Sequence, residues 1–118
     1  MDYSSTVNFK SLAFAKRIVN LSKYLFKVKK EYVISRQILR SGAGIGANIV
    51  EAEYGISRKD FLAKMYIAFK ECAETLFWLE LLLSGEYIVE KEYISLKRDC
   101  DELRKMLSSI TKTTKSNS

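Results

Sequence analysis

Apolar residues return at steps of three and four along most of this chain, in four separate segments. In the last segment Tyr93, Leu96, Cys100, Leu103, Leu107 and Ile110 form a narrow seam, with Asp99, Asp101, Glu102, Arg104 and Lys105 on the other faces. That spacing is the signature of one buried helical stripe. In the segment before it, Phe61, Met65, Ala68, Cys72, Leu76, Leu79 and Leu83 line one stripe, flanked by Leu62, Tyr66, Phe69, Ala73 and Phe77. The pattern predicts four helices. The first spans about 8–29, with Ser5 or Thr6 as cap. The second starts after Ser35 and ends near Glu53, ahead of Gly55, a residue suited to a left-handed C-terminal position. The third opens on the Ser57-to-Asp60 capping box and ends at Gly85, which would make it ~40 Å long. The fourth spans about 89–111. Short connections between long helices make neighbours antiparallel, so the expected fold is all-α, an antiparallel up-down four-helix bundle occupying residues 1–111. Residues 112–118, KTTKSNS, read as a polar, disordered tail.

Two places break the simple pattern. Toward the end of the third helix Trp78, Leu81 and Leu82 project, at ~100° per residue, well away from the main stripe. Apolar surface nearly all round asks for more neighbours than one small bundle supplies, and contact with another subunit is the preferred reading over burial within the chain. Glu80 falls inside the flanking apolar arc and is expected to pair with a basic group. In the second helix Gly42, Gly44 and Gly46 interrupt the interior, each costing ~1 kcal/mol relative to alanine. Gly42 and Gly46 share a face and would admit a neighbouring backbone. Gln37, Arg40, Ser41, Gly44, Asn48 and Glu51 collect on one arc of ~100°. That arc is either solvated or, through Asn48 and Glu51, a hydrogen-bonded contact with another helix or subunit. Gly42 to Ala47 also fit the glycine fingerprint of dinucleotide sites, but that motif needs a preceding strand and a parallel sheet, and SRQILR ahead of it is helical in pattern.

Composition narrows the function classes. The chain has 118 residues, one domain's worth, with ordinary shares of apolar (47%) and charged (29%) side chains. No apolar run is long enough to span a membrane, and the N-terminus lacks a signal-peptide pattern, so a cytoplasmic location is expected. There is no proline to break a helix and no histidine to serve as general base or metal ligand. Cys72 and Cys100 sit on core stripes and match no zinc spacing. No catalytic residue, metal or cofactor is indicated. Glu51, Glu74, Arg40 and Tyr54 are the nearest thing to an acid–base set and rank last.

Charge is unevenly placed. Residues 1–30 carry seven basic and one acidic side chain, and the remaining 88 carry thirteen of each. Lys16, Lys23, Lys27 and Lys30 fall within ~60° on a helical projection, a stripe about 20 Å long flanked by Arg17 and Tyr24. Phe14, Ile18, Leu21 and Leu25 lie opposite, so the stripe faces outward. It is either a solvated helix face or a surface for nucleic acid, with an anionic membrane less favoured.

The segment QILRSGAGIGANIVEAEYGIS is similar to the Q-L-R-R-A-x-x-S-I-x-x-N-I-A-E-G pattern of the four-helix-bundle proteins encoded in intervening sequences of 23S rRNA genes. Gln37, Arg40, Ile45, Asn48, Ile49 and Glu51 match it, followed by Ser57, Phe61, Ala68 and Glu74. Gly44 stands in place of the pattern's serine and Ala52 in place of its last glycine. The resemblance spans about residues 10–110. It implies a four-helix bundle and, in relatives, a ring-like homopentamer. A related branch, the accessory variability protein of diversity-generating retroelements, works with a reverse transcriptase and binds nucleic acid.

The leading expectation is therefore a non-catalytic, oligomeric nucleic-acid-binding protein, RNA preferred over DNA, using Lys16, Arg17, Lys23, Lys27 and Lys30. Gln37, Arg40, Asn48, Glu51 and Glu74 are the motif residues at a helix contact, and Trp78, Leu81 and Leu82 the oligomer interface. The alternative is a structural or adaptor homopentamer that docks a protein partner such as a reverse transcriptase.

Overall fold

The computed structural model describes the backbone of residues 3–116 and the side chains of residues 6–115. Four helices follow one another, α1 (Tyr3–Lys27), α2 (Ile34–Glu53), α3 (Arg58–Ser84) and α4 (Glu90–Ser116). Each packs on its neighbours in sequence, α4 closes on α1 over the smallest interface, and the diagonal helices do not touch. This is the expected up-down bundle, 46 Å long and 22 Å across.

Every helix buries a heptad-spaced seam. α1 contributes Val7, Ser11, Phe14, Ile18, Leu21 and Leu25, and α2 contributes Ile38, Gly42, Ile45, Ile49 and Ala52. α3 contributes Met65, Ala68, Cys72, Thr75, Leu79 and Leu82, and α4 contributes Leu96, Cys100, Leu103, Leu107 and Ile110. Alternating steps of three and four keep a seam on one partner groove when helices cross at ~20°, as in coiled coils and most four-helix bundles. Both cysteines are free and buried. Cys100 Sγ lies 3.5 Å from the Cys72 carbonyl oxygen. Hydrogen bonding to Cys72 and burial push the Cys100 thiol far above its ordinary range.

The boundaries differ from the expected ones in physically interpretable ways. α1 begins at Tyr3, upstream of Ser5 and Thr6, so neither opens the helix; the Ser5 side chain lies outside the described residues. α2 has no side-chain cap at Val33, and the Glu31 carboxylate accepts instead from Val33 N (3.2 Å) and Ser35 N (2.7 Å). A carboxylate there also complements the positive end of the helix dipole. Ser57 caps α3 as its sequence indicates, accepting from Asp60 N at 3.0 Å.

Neither Gly55 nor Gly85 takes the left-handed conformation; Lys30 (φ 56°) and Glu86 (φ 64°) do. Glu86 N donates to Leu83 O and Tyr87 N to Leu82 O, the paired bonds of a Schellman end one residue past the glycine. α4 runs to Ser116, five residues beyond the expected end at Thr111. Nothing in KTTK terminates a helix, because glycine and proline are both absent. Asn117 and Ser118, the rest of the expected tail, lie outside the described residues.

Candidate functional site

Position on the bundle divides the surface of α1 into two kinds. Lys16, Lys23 and Lys27 stand exposed on its outer face, and Lys30 is exposed in the turn that follows. Phe14, Ile18, Leu21 and Leu25 are buried on the opposite side, as expected. Arg17 does not belong with the lysines. One residue beyond Lys16 turns the helix by ~100°, toward α4. There Arg17 Nη1 bonds Asp99 Oδ2 at 2.7 Å, and Nη2 reaches Ser95 Oγ at 3.0 Å and Glu92 Oε1 at 3.9 Å. Lys10 likewise pairs with Glu102. These two bridges close α1 on α4, so Arg17 is a structural cation.

The polar arc of α2 is not simply solvated, because most of it meets α3. Arg40 pairs with Glu74, has Glu71 Oε1 at 3.8 Å, and is braced by Gln37 Oε1 at 3.3 Å. Trp78 Nε1 donates to Glu74 Oε2 at 3.1 Å, which turns the indole inward along its own helix. Glu51 pairs with Lys64 at 3.4 Å. Deeper in the seam, the buried hydroxyls of Ser41 and Thr75 lie 2.9 Å apart, and Thr75 also donates to the Glu71 carbonyl at 2.8 Å. Gln37, Arg40 and Glu74 are thus brought together, while Glu51 pairs elsewhere. Asn48 bonds within its own helix: its Nδ2 donates to the Gly44 carbonyl at 2.9 Å, four residues back. Sequence reasoning missed Glu71 and Thr75, and placed Ser41 on the polar arc without its buried partner. Glu71 sits three residues before Glu74, the spacing that shares a helix face, and that was its available signal.

The third candidate surface changes most. Leu82 is fully buried inside the single chain. At ~100° per residue it projects away from Met65, but the heptad drift of a supercoiled α3 carries it back to the seam. Polar Thr75 on that seam disguised the drift, making Leu76 and Leu83 look like its continuation. Trp78 is half-buried against the core. Only Leu81 of the three keeps an outward exposure, 39%, next to Phe77 at 55%. Glu80 accepts from the Tyr93 hydroxyl at 3.4 Å, so its partner is a phenol and not a cation. A second apolar stripe went unread on α1: Phe9 (76% exposed), Leu12 (56%), Val19 and Phe26. With Lys16 and Lys23 between them, these positions also step by three and four, a legible signal of a second seam. The two leucines predict different outcomes. Leu82→Ala should cost ~2–5 kcal/mol in urea unfolding, and Leu81→Ala within ~0.5 kcal/mol for the dissociated chain. Equal losses would put Leu82 back on the surface.

The sequence model for 23S rRNA-intervening sequence proteins matches residues 4–109, which reaches from the start of α1 into α4 and takes in the lysine face and the α2–α3 seam. The chain belongs to the 23S rRNA-intervening sequence protein family. Its fold is also that of a crystal structure from Bacteroides thetaiotaomicron VPI-5482, described as a protein of unknown function from the S23 ribosomal protein family. The two share 53% identity with a TM-score of 0.92, over 94% of this chain and 99% of that one. No curated protein matches the chain. Among the described residues no helix of this intervening-sequence protein is long and apolar enough to cross a membrane, and no acidic, cysteine or histidine cluster could hold a metal ion.

In this member of the intervening-sequence family, the least comfortable group of the seam is Glu71. Its Oε2 is buried without a hydrogen-bond partner, facing the open side of Gly44. Burial foremost, then the like charge of Glu74, raises its pKa above the ordinary 4.5, and Arg40 offsets part of the rise. A carboxyl with a raised folded-state pKa holds its proton more tightly folded than unfolded. Stability is therefore lost as pH climbs from the ordinary value through the folded one. Glu71→Gln should remove that loss. Its gain over the wild type should be absent below about pH 4 and grow above it, read as the urea midpoint across pH. A gain independent of pH would show that the carboxylate is comfortably solvated.

Proposed function

We propose that this chain is a non-catalytic, oligomeric nucleic-acid-binding protein that prefers RNA, with Lys16, Lys23, Lys27 and Lys30 as its contact surface. The observation carrying the reading is the state of those four lysines. All are exposed, and among the described residues none forms an ion pair with a carboxylate, whereas Lys10, Arg17, Arg40, Lys64, Lys97 and Arg104 each do. A cation without a protein partner is free to neutralise a phosphate and so release the small cations condensed on the nucleic-acid backbone, and that release is the main source of nonspecific affinity. The preference for RNA follows from the family's tie to 23S rRNA. Fluorescence anisotropy with single-stranded RNA and a structured rRNA fragment tests it. Binding is expected at about 50 mM salt, and reversal of Lys23 and Lys27 to glutamate should abolish it.

Self-assembly belongs to the same proposal. Phe9 and Leu12, at the start of α1 ahead of the lysines, and Tyr66, Phe77 and Leu81 on α3 are exposed apolar patches on diagonal helices, hence on opposite sides of the bundle. Unlike surfaces on opposite sides pair head to tail, and such contacts close into a ring when the rotation per subunit divides a full turn. A pentamer is the expected ring. Light scattering at micromolar concentration should give a closed oligomer that Leu12→Glu or Phe77→Glu breaks into smaller, still helical species. A particle of one 13.6 kDa chain would defeat it.

The adaptor reading is favoured by one feature, the 76% exposure of Phe9 at the end of the α1 stripe. If part of that stripe stays free in the ring, it would dock a protein such as a reverse transcriptase. RNA binding indifferent to the lysine reversals would move preference to it.

A further inference from the structure

The C-terminal half of α1 and the α3–α4 turn enclose a groove of about 440 Å³. That is the size range of small-molecule sites. Its floor is apolar, with Leu21 and Ile88 both buried. Two tyrosines line it. Tyr24 is 41% exposed, while Tyr87 packs on the core and is fixed by the bond from its backbone N to Leu82 O at 2.9 Å. Asn20, Lys29 and two acidic residues, Glu86 and Glu92, line the same space. Arg17 also borders it, but its guanidinium is held by Asp99 and Ser95. Glu92 lies 3.9 Å from Arg17, which leaves its carboxylate with acceptor capacity to spare.

We infer that this groove takes a single purine nucleotide, with the base against Tyr24 and Tyr87 and the phosphate at Lys29. A purely apolar ligand would strip water from Asn20, Glu92 and Lys29 without replacing its hydrogen bonds. A nucleobase instead offers a flat face for tyrosine and an edge of donors and acceptors for an amide and a carboxylate. Base-on-aromatic stacking grows with ring area, so a purine is preferred over a pyrimidine. The groove also adjoins the basic face. Lys16 and Lys23 are i−4 and i+3 neighbours of Asn20, and Lys27 is i+3 from Tyr24. The inference deepens the RNA-binding proposal and rests on it for the polymer: a strand held by the lysines would turn one unpaired purine into the groove.

The test uses mononucleotides on the full chain, so that it reads the groove and not the strand. AMP and UMP are titrated while the methyl resonances of Leu21, Ile88 and Val89 are followed. Saturable shifts at those methyls are expected, with AMP binding more tightly than UMP. Tyr24→Ala should weaken AMP about tenfold and Tyr24→Phe should restore it, since the phenyl ring stacks without the hydroxyl. Tyr24 is partly exposed, so folding should survive the change. Shifts absent from these methyls, or AMP affinity unchanged in Tyr24→Ala, would overturn the inference. Strand binding is read separately on the wild type. RNA bound without AMP shifts removes the groove and leaves the lysine reading. AMP shifts without strand binding keep the groove as a nucleotide site and remove the RNA reading.

Discussion

Gly42→Leu should lower the thermal midpoint by roughly 12 °C or more, and Gly44→Ala, two residues along the same helix, should leave it unchanged or raise it. The difference follows from what each new carbon would meet. A Cβ on Gly42 would lie 2.9 Å from both Cγ1 and Cγ2 of Ile18, a side chain with no exposure and branched at its own Cβ. It has no free rotamer to retreat into, so α1 itself must move. Even alanine there should lose more to overpacking than the ~1 kcal/mol it gains in helix propensity. Leucine should cost ~3 kcal/mol, and a domain of this size loses about 4 °C per kcal/mol. A Cβ on Gly44 would meet the Glu71 carboxylate at 2.9 Å, the far end of a flexible chain that can swing toward water. Gly46, whose new carbon would sit 3.2 Å from Ser11 Oγ and 3.7 Å from the Ser11 backbone, should fall between them. Equal midpoints for Gly42→Leu and Gly44→Ala would show that α1 and α2 are not in close contact.

That contrast also shows how much the sequence conveys. The pairing of Gly42 with Gly46 on one face is a matter of spacing, and spacing is legible; the face does lie against α1. Which glycine tolerates a methyl depends on whether the atom opposite is Ile18 or the end of Glu71, and that is set by the neighbouring helix. The same division runs through the site. Lys16, Lys23 and Lys27 are outward because Phe14, Ile18, Leu21 and Leu25 are inward, a relation internal to one helix, whereas Lys30 lies past the helix end in the turn. The bond of Arg17 to Asp99 joins residues 82 apart in sequence, and no local pattern specifies it. Nor does the chain's periodicity tell a straight helix from a supercoiled one over a few turns. By Leu82, five steps of three or four residues from Met65, the two differ by about half a right angle, enough to exchange a core residue for a surface one. Tyr24 and Tyr87 come to line one groove only through the α3–α4 turn, whose left-handed Glu86 violates the usual glycine preference, so their groove had no signal in spacing.

RNA affinity should fall about 50-fold when salt rises from 50 to 200 mM, for each subunit engaged on a single strand. The expectation comes from counting: the four lysines of the proposed face, Lys16, Lys23, Lys27 and Lys30, none in an ion pair among the described residues, give up to four phosphate contacts. At ~0.7 per contact, the logarithm of affinity falls with the logarithm of salt at a slope near −3. Each Lys→Ala change should flatten that slope by about 0.7, and Arg17→Ala should not, because its guanidinium is spent on Asp99. This pairing of variants separates the proposal from a general effect of basic charge. Arg17→Ala removes the same unit charge from the same helix, one residue from Lys16. Its cost should appear in stability, where the α1–α4 bridge is lost, and not in the salt slope. In a ring the slope multiplies with the number of subunits that touch the strand, so weak contacts become measurable together. The lysine part of the affinity should be blind to sequence, since lysine here meets phosphate and not base edges. A slope near zero in the wild type, or one that flattens equally for Arg17→Ala and Lys23→Ala, would remove the basic face from the function.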